Sequence, residues 1–219
     1  MPNSLNWTLA MKKLFLIPLF AVLTAFSPFA AAQNIDKSTP DGLIKSVTAD
    51  VMSSIKSNSS IQNGDINAIT QLVNQKILPY TDFQRTTRLA MGRNWLTATP
   101  DQRAQVVDQF KLLLIRTYAG ALAQVHDQRI DYKPLRAAPD ATDVVVYSQV
   151  VGQGQPIELD YRLTKTADGW RVYDINVLGA WLVPAYQQQF SEQISQRGID
   201  GLIQFLTQRN QQLASGKAA

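Results

Sequence analysis

Near residue 130 the hydrophobic pattern of the chain changes period, and that change limits the fold more than any other feature. Ile157, Leu159, Tyr161 and Leu163 alternate with Glu158, Asp160, Arg162 and Thr164. This is the spacing of a strand with one dry and one wet face, which suits an antiparallel sheet. Ile130 and Tyr132 begin a strand before it, Asp143 to Val151 is rich in valine, and Trp170 to Val177 closes the series. Gly152-Gln153-Gly154-Gln155-Pro156 and Ala167-Asp168-Gly169 stand where hairpin turns are needed, so the spacing predicts a four-stranded antiparallel meander. Trp170 and Val172 are out of phase with Tyr173, Ile175 and Val177, which marks either a bulge or a strand buried on both faces.

On both sides of the meander the period is helical. Leu43, Val47, Val51 and Ile55 repeat from Asp41 onward, and the pattern stops in Ser57-Asn58-Ser59-Ser60. Asp65 suits the N-cap of a second helix carrying Ile66, Ile69, Leu72, Val73 and Ile77, which Pro79 ends. Asp82 caps a short third helix reaching about Met91-Gly92. Thr99-Pro100-Asp101-Gln102 is a capping box with proline at the first helical position, opening a long helix to about His126. After Gly179 the residues Leu182, Tyr186, Phe190 and Ile194 define another helix, and a last one follows Asp200, with a loose tail from Asn210. Helices, then a meander, then helices is an α+β arrangement. A curved sheet with helices across one face makes a cone, which is either filled or left open.

The N-terminus bears on compartment. Met11-Lys12-Lys13, the apolar run Leu14 to Phe26 and Ala30-Ala31-Ala32 have the layout of a secretory signal peptide cleaved after Ala32, with residues 1–10 as an upstream start. The alternative is a membrane anchor, for which the run is short against the ~20 apolar residues a span needs. Residues 33–40 then read as a flexible leader, 41–209 as one domain and 210–219 as a disordered tail. Cleavage removes two lysines and no acid, taking the balance from 21 basic and 17 acidic residues to 19 and 17, a net charge of +2. With no run of Lys and Arg in the remainder, a nucleic-acid partner is not expected. The chain has no cysteine, so an exported form folds without disulfides and depends on buried apolar surface. One histidine and no cysteine exclude structural zinc and thiol chemistry.

Catalytic candidates are thin. His126 and Asp127 are adjacent on a helix and so do not face each other; a histidine facing the C-terminal dipole is the simpler account. Asp174, among apolar neighbours, suits either a buried acid with a raised pKa, as in small cone-shaped isomerases, or an aspartate paired with an arginine. No Gly-x-Ser-x-Gly, Ser-x-x-Lys or phosphate-cradling glycine loop is present. What remains is an excess of large apolar residues in places that face each other, which fits an ordinary core or a ligand cavity between sheet and helices.

Particular residue blocks go further. Leu78-Pro79-Tyr80-Thr81-Asp82-Phe83, Ala90-Met91-Gly92-Arg93-Asn94-Trp95, Thr99-Pro100-Asp101-Gln102-Arg103, Phe110 and Thr117-Tyr118-Ala119 resemble the MlaC family of periplasmic phospholipid-binding proteins, also called toluene-tolerance auxiliary proteins. Val172-Tyr173-Asp174-Ile175-Asn176-Val177, Gly179, Tyr186, Phe190 and Gly198-Ile199-Asp200-Gly201-Leu202 agree in order. Trp181 and Gln187 depart from the family's common pattern near the expected pocket mouth.

The resemblance implies a soluble, monomeric periplasmic carrier that maintains outer-membrane lipid asymmetry. Such a carrier moves phospholipid between an outer-membrane lipoprotein–porin complex and an inner-membrane lipid ABC transporter with its periplasmic lipid-binding domain. It performs no covalent chemistry and needs no metal or cofactor; lipid is its cargo. From the facing apolar sets, the expected lining is Val73, Ile77, Phe83, Leu89, Phe110, Leu114, Tyr118, Val146, Leu159, Tyr161, Ile175, Val177, Ala180 and Trp181. Arg85, Arg88 and Arg93 are either cations near the mouth or a solvated helix face. The rival readings are a cone-fold isomerase or lyase using Asp174 or His126, and an interaction domain with a filled core.

Overall fold

The structure is a computed structural model and describes residues 35–215. The signal segment expected over 1–32, with its cleavage site, lies outside the described residues.

Helix α1 (Pro40–Ser57) starts one residue before the expected Asp41, because Thr39 accepts a hydrogen bond from Gly42 N at 3.1 Å and Pro40 fits the first turn. Ile35 to Thr39 is tied down rather than a free leader. Asp36 accepts from Ser38, and the Lys37 carbonyl accepts from Trp170 N at 3.3 Å. Asn58 caps a single turn, α2 (Ser59–Gln62), where only a stop was expected. Asp65 caps α3 (Ile66–Leu72) as the sequence predicts. The apolar stripe then continues through a π turn, Val73–Ile77, and a 3-10 turn, Leu78–Tyr80. Pro79 cannot donate to the carbonyl four residues back and its ring collides with it, so the chain leaves α geometry before reaching the proline.

Asp82 caps α4 (Phe83–Met91), and a single turn, α5 (Asn94–Thr97), follows Gly92. The capping box is present: Gln102 N donates to Thr99 Oγ1 and Thr99 N to Gln102 Oε1, at 3.1 and 3.0 Å, opening α6 (Pro100–Ala123).

Among the described residues the sheet has six strands rather than four: β1 (Arg129–Tyr132), β2 (Asp143–Val146), β3 (Ser148–Val151), β4 (Ile157–Thr166), β5 (Gly169–Val177) and β6 (Ala180–Trp181). All pairings between them are antiparallel, in the order β1-β3-β4-β5-β6, with β2 beside β4. The expected strand Asp143 to Val151 breaks at Tyr147, and its two halves pair with different parts of β4. The short β6 is the sixth. Between β4 and β5 the register runs Arg162 to Asp174 and then Leu163 to Val172. Tyr173 therefore has no opposite residue and is a bulge, one of the two arrangements the phase change left open. Gly169 opens β5 at φ +104°, and a Cβ there would stand 2.8 Å from the Lys37 carbonyl, so this turn requires glycine.

The run α7 (Leu182–Ala214) is interrupted at Gly198 (φ 70°, ψ −174°), which separates the two expected helices. It continues through Ala214, and Asn210 is buried with its side-chain amide donating to Gln109 O at 2.9 Å. The loose tail expected from Asn210 is therefore corrected for 210–214.

Among the described residues three buried clusters hold the domain. One joins α4 to α7 through Met91, Trp95, Val106, Phe110, Phe190, Leu202 and Leu206. A second packs Leu43 and Ile44 of α1 on Val144, Val146, Tyr161, Leu163, Trp170 and Val172 of the sheet. The third ties α1, α2 and α3 to Ile115 of α6.

Candidate functional site

Pairing places Leu159 opposite Val177, Tyr161 opposite Ile175, and Val177 opposite Ala180, so these residues share one sheet face with Val146. Alternation along the strands adds Ile130, Val150 and Ile157 to that face. Helix α1 covers one end of it. Toward the other end Ile130, Val150, Ile157, Val177 and Ala180 belong to none of the three clusters, and Ile157 is 42% exposed. Among the described residues an apolar sheet surface is thus left without a packed cover.

Beside it, at Ala180, opens a cleft of about 350 Å³ between α6 and α7. Leu113, Thr117 and Tyr118 form one wall; Leu182, Ala185, Tyr186, Gln189, Phe205 and Arg209 form the other. On α6 the wall residues are spaced four and one apart, and on α7 Leu182, Ala185, Tyr186 and Gln189 lie on one helical face. Tyr186 is braced from behind, its ring meeting Phe110 edge-on at 4.7 Å, and Phe110 in turn contacts Phe190 and Phe83.

Of the expected lining residues, Tyr118 and Ala180 line this cleft. Val73, Phe110, Val146 and Tyr161 are buried inside the packed clusters. Ile77, Phe83, Leu114, Leu159 and Ile175 are half-buried against cluster edges, while Leu89 and Val177 are half-buried outside them. Trp181 is corrected. It pairs with Asn176 on the opposite sheet face, where the Arg162 guanidinium lies 4.0 Å from its ring centre. Adjacent strand residues point to opposite faces, so Ala180 and Trp181 cannot both face the apolar side. Gln187 is exposed and reaches toward Gly92 rather than the cleft.

The expected mouth arginines do not line the cleft either. Arg85 pairs with Asp143 at 2.9 Å and stacks over Tyr173 at 3.9 Å, and Arg88 and Arg93 are exposed on the surface. The sequence missed Arg209 and the α7 wall residues as a site. Tyr186 and Phe205 were legible only as helix stripe.

Asp174 is an anchor for the fold. Its Oδ1 accepts from Ile175 N and Val183 N, both at 2.9 Å, and its Oδ2 accepts from Arg162 at 3.1 Å. Burial raises its pKa above the ordinary carboxylate value, against the opposing pull of Val183 N–H and Arg162. It lines neither the cleft nor the hollow of about 300 Å³ beside β2, whose walls include Asp143, Tyr147 and Arg162. His126 is exposed and lines neither. Among the described residues no group of three or more His, Cys, Asp or Glu is placed to hold a metal, and no helix is long and apolar enough to cross a membrane.

The arrangement defines a class: an α+β domain in which an antiparallel sheet and long helices wall a mainly apolar cleft that carries a cationic side chain. The family follows from comparison with known proteins. The family model described as MlaC protein matches residues 45–208, and the chain belongs to that family. It is 24% identical over 184 residues to the toluene tolerance protein ttg2D of Pseudomonas putida, covering 83% of each chain. It is 25% identical over 197 residues to the intermembrane phospholipid transport system binding protein MlaC of Haemophilus influenzae, covering 88% of this chain and 91% of that one. Among solved structures it matches a phospholipid-binding protein from Ralstonia solanacearum, determined in complex with a phospholipid. That match has 53% identity and a TM-score of 0.77, over 78% of this chain and 96% of that one.

Proposed function

We propose that this protein is a periplasmic phospholipid carrier that holds acyl chains between α6, α7 and the uncovered end of the sheet, and performs no covalent chemistry. The observation that carries the reading is the likeness in fold and sequence to a phospholipid-bound relative, combined with an amphipathic cleft at the sheet's uncovered apolar end. Each buried methylene contributes about 0.8 kcal/mol, so a fifteen-methylene chain gains roughly 12 kcal/mol over water. A bilayer offers the same gain. Cavity and membrane therefore nearly balance, and partners set the direction of transfer: an outer-membrane lipoprotein–porin complex on one side and an inner-membrane lipid ABC transporter on the other. In this role the protein acts as a monomer, after cleavage behind Ala32, and maintains outer-membrane lipid asymmetry.

The cleft's 350 Å³ is at the small end of the roughly 300–1,000 Å³ usual for small-ligand pockets. Two acyl chains need more, so loading parts the helices from the sheet. Native mass spectrometry of the purified mature protein tests the reading: one or two phospholipids per chain are expected, and protein that never carries lipid overturns it. Leu182→Glu places a charge in the cleft wall and should abolish retention with the fold kept, read by circular dichroism.

A further inference from the structure

Among the described residues ten line the α6–α7 cleft, and Arg209 is the one charged residue of these. Two arginines that serve the fold are paired with acids, Arg85 with Asp143 and Arg162 with Asp174, and two others, Arg103 and Arg116, donate to the backbone carbonyls of Trp95 and Asn210. Among the described residues Arg209 has no carboxylate within ion-pair distance. Its hydrogen bond is to the neutral amide oxygen of Gln212 at 3.2 Å, one turn along its own helix. A half-buried arginine in an apolar cleft, without a described acid beside it, has donors to spare in a setting where an anion would be held strongly.

The groups around it are donors too. Tyr186 lies beside the Thr117 hydroxyl and within the field of both Tyr118 and Arg209. Phenols are protonated at neutral pH, and burial pushes Tyr186 up to about 12 and raises Tyr118 as well, so both supply O–H groups instead of competing negative charge.

We propose that Arg209, with the hydroxyls of Thr117, Tyr118 and Tyr186, forms a phosphodiester-binding end to the cleft, which fixes the lipid by its phosphate and ignores the head-group alcohol beyond it. A phosphodiester presents two free oxygens to the planar guanidinium fork. The remainder of the head group meets no charged wall and extends toward solvent. The carrier then accepts zwitterionic and anionic phospholipids alike and discriminates against amphiphiles of the same tails that lack phosphate. This inference rests on the carrier reading.

The experiment loads delipidated mature protein with dioleoylphosphatidylglycerol, dioleoylphosphatidylethanolamine or dioleoylglycerol, with inorganic phosphate as a separate arm, and measures affinity by displacement of a fluorescent lipid. The wild type should bind the two phospholipids within a few-fold of each other and the diacylglycerol about 10-fold or more weakly, the scale of one charge-assisted hydrogen bond. Inorganic phosphate alone should not displace the probe, since the tails carry the affinity. Arg209→Gln should lower phospholipid affinity about 10-fold and leave diacylglycerol unchanged, and Arg209→Lys should fall between. Equal wild-type affinity for diacylglycerol and phosphatidylglycerol overturns the assignment while the carrier reading stands, and needs no variant to fold. Wild type that takes up none of the three lipids overturns both. Displacement by inorganic phosphate alone would assign the site to free phosphate and overturn its role in lipid binding.

Discussion

Asp174 carries the sharpest prediction, because it fastens the helix that forms one wall of the cleft. Trp181 at the head of α7 offers no side-chain cap, and the orphan N–H of Val183 is instead satisfied by the Asp174 carboxylate of β5. The charge also complements the positive end of the helix. Asp174→Ala would strand the Ile175 and Val183 N–H groups, at about 1–3 kcal/mol for each buried donor. Losing the ion pair adds little, since the Arg162 side chain is 34% exposed and such pairs contribute about 0–1 kcal/mol. The expected cost is about 3 kcal/mol, or a fall in Tm of roughly 6–12 °C for a domain of this size.

Asp174→Asn keeps an acceptor oxygen and should cost about 1 kcal/mol, but its pH dependence is the stronger test. Burial raises the folded-state pKa of Asp174, so between the ordinary carboxylate value and the raised one the folded protein holds more protons than the unfolded chain. Stability from this group is thus fully present below the unfolded pKa and is lost as pH rises through the folded one. Urea denaturation of delipidated wild type and Asp174→Asn, from pH 4 to 7, should show the wild-type advantage shrinking with rising pH. An advantage that grows instead means the pairing with Arg162 outweighs burial, and Asp174→Ala within 0.5 kcal/mol of wild type would refute the capping account.

Two further outcomes are expected of the framework. Phe110→Ala removes a fully buried ring that contacts Phe83, Tyr186 and Phe190, and should cost about 3–5 kcal/mol in denaturant titration; a loss below 1 kcal/mol would mean the α4–α7 cluster collapses readily around the gap. Thr99→Ala removes one half of the capping box on α6 and should cost about 1 kcal/mol, seen as a Tm lower by roughly 2–4 °C.

Much of the framework was legible along the chain because it depends on neighbours in sequence. The capping box at Thr99 and Gln102, the caps at Asp65 and Asp82, and the phase slip at Tyr173 are local signals, and each has its structural counterpart. Errors arose where distant partners decide. Asn210 sits in a polar tail by composition, yet α7 continues through it because its amide reaches Gln109 across the α6–α7 contact. The break at Tyr147 follows from β2 and β3 pairing with different stretches of β4.

By itself, the sequence determined the element types, the antiparallel sheet with one apolar face and the family, since period, caps and residue blocks survive without knowledge of packing. Only the tertiary structure decided which apolar residues close into cores and which stay open. Phe110, Val146 and Tyr161 are as hydrophobic as any cavity wall, and their burial depends on whether a second element comes to cover them. The same holds for Arg209, which reads in sequence as one more surface cation. Its place in the wall of an apolar cleft arises because α7 turns at Gly198 and lays its second half along α6.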